Sequence, residues 1–144
     1  MIQTLPSALE HVQEIAATGT RQPAVFLDYD GTLTPIVSHP EKALLSDAMR
    51  QVVRELAAKA PVAILSGRDL DDVRQRVNID AIVYAGSHGF DIAGPRGLRK
   101  QVATELLPNL DMAEKELGEK LAGIPAAWVE RKRFKLCDRK PIEV

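Results

Sequence analysis

One cysteine, Cys137, is all that the 144 residues hold, and aromatic side chains make up only 4% of them. A lone thiol excludes an internal disulfide framework, builds no metal cluster by itself and fits a reducing cytosolic compartment. The scarcity of aromatics argues against a stacking platform for single-stranded nucleic acid. An excess of charge is missing as well: 19 Lys plus Arg stand against 20 Asp plus Glu, a formal net charge of -1. That balance gives no general attraction to nucleic acid or to an anionic membrane, so any electrostatic function has to be local. No apolar run is long enough to cross a bilayer, and the start, "MIQTLPSALEHVQEIAATG", lacks the basic residues and apolar stretch of a signal peptide. The expectation is a soluble, unprocessed, cytoplasmic protein with neither a nucleic-acid nor a membrane partner.

What is present suits one ordinary globular domain: 45% of the residues are hydrophobic and 27% charged. "PSALEHVQEIAAT" predicts a surface helix with Leu9, Val12 and Ala16 on one face, Pro6 in its first turn and Gly19 as its stop. "AVFL" reads as a short buried strand. A polar, proline-bearing loop leads to "SDAMRQVVRELAAKA", a helix with Ser46 as N-cap and Met49, Val53, Leu56 and Ala60 turned inward. "PVAIL" predicts a second buried strand, "SGRD" opens a short helix carrying Leu70, Val73 and Val77, and "AIVYA" predicts a third strand. Strands alternating with helices imply a parallel sheet with right-handed crossovers, an α/β fold of doubly wound type. Beyond Gly86 the pattern changes to a small hairpin in "FDIAGPRGLRK", an amphipathic helix in "PNLDMAEKELGEKLAG" and an alternating strand in "AAWVERKRFKLC". A boundary between two units is expected near Val102 to Glu105.

The stretch "VFLDYDGTLTPIV" sets two carboxylates, Asp28 and Asp30, where the first strand ends. In a parallel α/β sheet, ligands sit beyond the carboxyl ends of the strands. Residues two apart on an extended chain point the same way, so both carboxylates can reach one site. Side by side they repel unless a cation lies between them or they share a proton, and hard oxygen ligands of this kind favour Mg²⁺ with a substrate phosphate. Gly31 permits close backbone approach and Thr32 adds a hydroxyl. A plain Asx-type turn would use the same residue types. The second strand, however, also ends in small polar residues, "ILSGRD", placing Ser66 and Gly67 at the same edge before a helix N-terminus that favours anions. Two such matches in order point to a phosphate-handling site.

"FLDYDGTLT" and "ILSGR" resemble the first two motifs of the haloacid-dehalogenase-like phosphohydrolases, and "YAGSHGFDI" with "WVERKRF" narrows the resemblance to the trehalose-6-phosphate phosphatases, over Pro23 to about Leu136. The implied fold is an incomplete Rossmann-like parallel sheet with flanking helices in residues 1–103, plus the start of a small α+β cap in residues 104–144. The resemblance implies that Asp28 is the nucleophile that becomes an aspartyl-phosphate and also touches Mg²⁺. Asp30 would protonate the departing sugar oxygen and later take a proton from water, its main-chain carbonyl binding the metal. Ser66 would hold a phosphoryl oxygen, backbone amides near Gly31 and Gly67 would support it, and Thr32 belongs to the same group. Glu130 and Lys132 would grip sugar hydroxyls from the cap, with Arg68, His88 and Gly89 on the core side of the sugar pocket. The implied reaction is Mg²⁺-dependent hydrolysis of trehalose 6-phosphate in trehalose biosynthesis.

Each of these residues has a rival reading. Arg68 and Asp69 suit a helix start with no ligand. A histidine is as readily structural, and His11 and His39 are left on the surface. The run "ERKRFK", with Arg139 and Lys140, could be a solvated strand face, but alternation sends Trp128, Glu130, Lys132 and Phe134 to one side, which suits a sugar-gripping lid better than a phosphate-tracking groove. Trp128 and Phe134 equally suit a cap core. The family's later motifs, a lysine that neutralises phosphate and an acidic pair that completes the metal site, do not occur in these residues, and "KLCDRKPIEV" departs from the family pattern. The expectation is a truncated or frame-shifted product. A carboxylate ~4 Å from a phosphate dianion meets about 4 kcal/mol of repulsion per charge pair at an effective dielectric near ~20. With those groups missing, little or no turnover is expected, and the strand bearing Asp28 would present a bare edge to another chain. The alternative to the enzyme is therefore a non-catalytic remnant that binds phosphosugar or a partner subunit; a related sugar phosphatase is a third reading.

Overall fold

The computed structural model describes residues 7–13, 23–125 and 127–139. Of the first predicted helix, a 3-10 turn, Ala8–His11, and the α-helical residues Val12 and Gln13 fall among them; Ser7 Oγ accepts from the Leu9 amide at 3.3 Å, and Pro6, Ala16 and Gly19 lie outside the described residues. The strands β1 (Val25–Asp28), β2 (Val62–Leu65), β3 (Val83–Gly86), β4 (Asp91–Ala93) and β5 (Arg99–Gln101) form one sheet in that order. β1, β2 and β3 are parallel, as the alternation with helices predicts, whereas β4 and β5 add antiparallel. The predicted hairpin thus extends the main sheet and makes it mixed.

Helices α1 (Asp47–Ala57) and α2 (Leu70–Val77) supply the crossovers. Ser46 caps α1, its Oγ accepting from the Met49 amide at 3.2 Å. Val53 of α1 and Val73 and Val77 of α2 share one buried cluster with Val62, Ile64, Ile82 and Tyr84, against which Val25, Leu27, Met49 and Leu56 also pack. That cluster covers one face of β1 and β2. On the other face Phe26 is 65% and Leu65 41% exposed. "AVFL" is therefore a half-buried strand where a buried one is expected, because no described element covers its second face or its outer edge.

A second, two-stranded sheet pairs β6 (Trp128–Lys132) with β7 (Lys135–Arg139), and helix α3 (Leu107–Leu121) packs against β6. Arg131 joins them through Asp111 at 2.7 Å and Glu114 at 3.3 Å. Phe134 is not a strand residue: the register pairs Lys132 with Lys135 and leaves Arg133 and Phe134 as the turn. There Phe134 is 8% exposed and stacks on Phe90, in the turn that leads into β4, at 6.0 Å between ring centroids, so it is a docking residue and no member of a sugar-facing row. Trp128, at 53% exposed, is not cap core either.

Candidate active site

β1 delivers its two carboxylates to the open end of the sheet. Asp28 and Asp30 are exposed on either side of Tyr29, which is fully buried and donates its hydroxyl to the Ala43 carbonyl at 2.8 Å. The buried ring works as a pin, and burial raises its phenol above the usual pKa. The Tyr29 carbonyl accepts from the Leu33 and Thr34 amides, both at 3.1 Å, and from Thr34 Oγ1 at 3.2 Å, which folds the chain sharply back. Gly31 takes φ +86° in that turn, a conformation that favours glycine. Its amide donates to the Thr34 carbonyl at 2.9 Å, so among the amides near Gly31 this one is engaged within the turn.

The end of β2 is braced from β3. Ser66, 4% exposed, accepts the Arg68 amide on Oγ at 3.1 Å, which leaves its own O–H to donate. Ser87 and His88 sit in the left-handed region, at φ +49° and +58°, which turns their amides onto the Arg68 carbonyl at 2.6 Å and the Ser66 carbonyl at 2.9 Å. Ser87 Oγ further donates to Asp69 at 3.0 Å. Gly67 has no Cβ because the His88 ring occupies the place: Cε1 would lie 2.7 Å from it. "GSHG" therefore buttresses the "SGRD" loop, which brings His88 beside Gly67, while Gly89 at φ +90° closes the turn.

Arg68 is 8% exposed and clamps the site. Its Nε lies 2.9 Å and its Nη2 2.7 Å from the two Asp30 carboxylate oxygens, Nη1 donates to Asp72 at 3.1 Å, and Nη2 also reaches the Pro40 carbonyl at 2.7 Å. Four of the five guanidinium N–H bonds are thereby committed. The Asp30 carboxylate, ahead of the opposing effect of burial, raises the Arg68 pKa further above its usual value. The structure thus gives Arg68 a brace to hold, with one N–H left over beside the cleft that it lines. A cleft of about 290 Å³ opens beside the clamp, lined by Asp30, Gly67, Arg68 and Lys132 together with Pro35, Ile36, Val37, Pro40 and Lys135. Glu130 flanks it, 3.5 Å from Lys132 Nζ. Asp28, Thr32, His88 and Gly89 are not among the residues that line it.

A model of the trehalose-phosphatase family matches residues 26–137. The chain belongs to the trehalose-phosphatase family. It is 46% identical over 132 residues to a trehalose-phosphate phosphatase of Mycobacterium tuberculosis, covering 90% of this chain and 34% of that protein. It is 48% identical over 134 residues to a probable trehalose-phosphate phosphatase of rice, covering 90% and 36%. The C-terminal domain of the Candida albicans trehalose-6-phosphate phosphatase superposes with a TM-score of 0.61 at 29% identity, over 80% of this chain and 41% of that one. The chain therefore spans about a third of the length of these curated trehalose-phosphatase relatives.

Within the trehalose-phosphatase frame, the donors at β1 fit a weakly held divalent ion. No described donor reaches the Asp28 carboxylate, and no described backbone bond uses the Asp30 carbonyl, so two hard oxygens at the strand end remain without a described donor. Among the described residues no cluster of three or more His, Cys, Asp or Glu side chains completes the shell. Two residues went unnoticed in the sequence. Asp72 could have been found by its i,i+4 spacing to Arg68. Lys135 could have been found only by knowing that a two-residue turn sets it opposite Lys132.

Proposed function

We propose that this chain carries the nucleophile-bearing part of a Mg²⁺-dependent trehalose 6-phosphate phosphatase, with residues 1–103 as core, 104–144 as the start of the cap and a phosphosugar as its small-molecule partner. The observation that carries the reading is the pair Asp28 and Asp30, both exposed about a buried Tyr29 at the carboxyl end of β1. An Asp28 oxygen attacks phosphorus, the bond from phosphorus to the sugar oxygen breaks, and water later hydrolyses the aspartyl-phosphate. Asp30 gives a proton to the leaving sugar oxygen and takes one from that water. Both Asp30 oxygens accept from Arg68, so turning an Asp30 proton toward the sugar oxygen competes with that clamp. Ser66 holds a phosphoryl oxygen through its spare O–H, and Glu130 and Lys132 meet sugar hydroxyls from the far wall. The Gly67 amide, which makes no described bond, supports the phosphoryl group; Thr32, His88 and Gly89 complete the surroundings. Mg²⁺, held by the Asp28 carboxylate and the Asp30 carbonyl, would supply the positive charge that lets a carboxylate approach a phosphate dianion.

Phosphate release from trehalose 6-phosphate with added Mg²⁺ tests this. Turnover that Asp28→Asn abolishes, and that is faster than with sucrose 6-phosphate or glucose 6-phosphate, supports the phosphatase; equal rates on all three favour a related sugar phosphatase. The engaged Gly31 amide and the clamped Asp30 favour a second reading, a non-catalytic phosphosugar binder. Loss of one preorganised electrostatic group costs ~10²–10³ in rate. No release above a blank, with binding retained, would leave that second reading alone.

A further inference from the structure

The turn between β6 and β7 rests on the main sheet at a defined seat. Phe134 stacks on Phe90 with the ring planes 19° apart, and Arg133 Nη2 donates to Gln101 Oε1 at 3.3 Å. That seat brings Lys132 and Lys135, direct cross-strand partners, to the wall of the cleft that faces Asp30, Gly67 and Arg68. Like charges directly opposite on a hairpin repel, and the fold of the hairpin does not require them. Lys132 has a carboxylate 3.5 Å away in Glu130. Lys135 has no ion-pair partner among the described residues. One carboxylate, Asp30, thus lines the cleft against three cations, and the Arg68 charge is already met by Asp30 and Asp72. The charge left without a carboxylate partner among the described residues is that of Lys135.

We propose that Lys132 and Lys135 form an anion site that takes the phosphate group of the bound phosphosugar, with Lys135 as the phosphate contact and Lys132 bridging phosphate and sugar. This rests on the phosphosugar reading above, to which it adds a residue that lies in neither core motif. A dianion between the two ammonium groups turns their mutual repulsion into attraction, and charge-assisted hydrogen bonds fix its place. Lys135 also reaches the cleft only while Phe134 keeps its seat, so binding couples the hairpin to the main sheet.

Titration calorimetry on the intact chain tests it, with trehalose 6-phosphate, inorganic phosphate and trehalose as ligands and circular dichroism to verify folding. Lys135→Gln is expected to weaken trehalose 6-phosphate and phosphate about tenfold, the loss of one charge-assisted bond, and to leave trehalose unchanged. Lys135→Arg should restore binding. Lys115→Gln, which removes an exposed lysine outside the cleft, should change nothing. Unaltered phosphate affinity in Lys135→Gln, an equal loss in Lys115→Gln, or no phosphate binding by the wild type would each overturn the proposal. The two readings separate cleanly: Lys135-dependent phosphate binding without selective trehalose 6-phosphate turnover sinks the phosphatase reading and keeps the site, and selective turnover with Lys135→Gln binding as wild type does the reverse.

Discussion

Single side chains anchor this molecule through polar groups sunk in apolar surroundings. Tyr29 and Tyr84 are 0% and 3% exposed, and each phenol is satisfied: Tyr29 by the Ala43 carbonyl, Tyr84 by the Ile79 carbonyl at 2.7 Å and the Ile79 amide at 3.0 Å. Burial raises both above the ordinary value of 10.0. The folded state therefore holds these protons more tightly than the unfolded chain does, so the stability they contribute is complete below about pH 10 and is lost as pH climbs through the raised values. Denaturant midpoints measured across that range should fall above about pH 10. Tyr29→Phe and Tyr84→Phe should each lower stability by about 1 kcal/mol at neutral pH and flatten the alkaline fall. An alkaline limb unchanged in the double variant would place its origin elsewhere. Residue-scale features of this kind were legible in part. Ser46 as a cap and Val53, Val73 and Val77 as core follow from spacing within one helix, whereas the bond between Arg68 and Asp30 spans 38 positions and no local pattern announces it.

At the scale of elements, the deciding contacts lie where one element ends against the start of another. A Cβ on Gly86, at the end of β3, would meet the Leu70 amide nitrogen at 2.4 Å and its Cα at 2.5 Å, both backbone atoms of the first turn of α2. Backbone cannot give way as a flexible side chain can, so Gly86→Ala must push α2 off the sheet. The expected cost is about 2–4 kcal/mol in chemical denaturation, with Gly97→Ala as the contrast: its Cβ meets nothing within 4 Å, and any loss there comes from its φ of +75° alone. Equal losses at the two positions would refute the steric account. The same junctions explain what spacing could not supply. Nothing in the spacing marked Gly86 as a contact with α2, the left-handed pair Ser87 and His88 carries no glycine to signal it, and the turn at Arg133 and Phe134 has neither positive φ nor Asn or Gly. Two-residue hairpin turns usually need such residues. Here the burial of Phe134 on Phe90 holds the turn in place, a tertiary cause with no local trace.

For the molecule as a whole, the unfinished feature is the outer side of β1. The sheet order leaves β1 with one neighbour, β2, among the described residues, and the face away from α1 and α2 presents Phe26 at 65% and Leu65 at 41% exposure. These two are same-face diagonal neighbours, since Phe26 pairs with Ala63 and Asp28 with Leu65. A strand edge next to an apolar patch, with no charge before Asp28, has only its shortness to keep another edge away. We infer that another strand pairs here, a second copy of the chain when nothing else is supplied. Sedimentation velocity should then show self-association that grows with concentration, and Phe26→Lys should suppress it, because a lysine on the open face brings charge to the edge without touching the cluster behind it. Site and edge are linked, since Asp28 closes β1 and any strand docked alongside would pack next to the proposed nucleophile. Association that survives Phe26→Lys, or a wild type that stays monomeric at high concentration, would overturn the pairing at this edge.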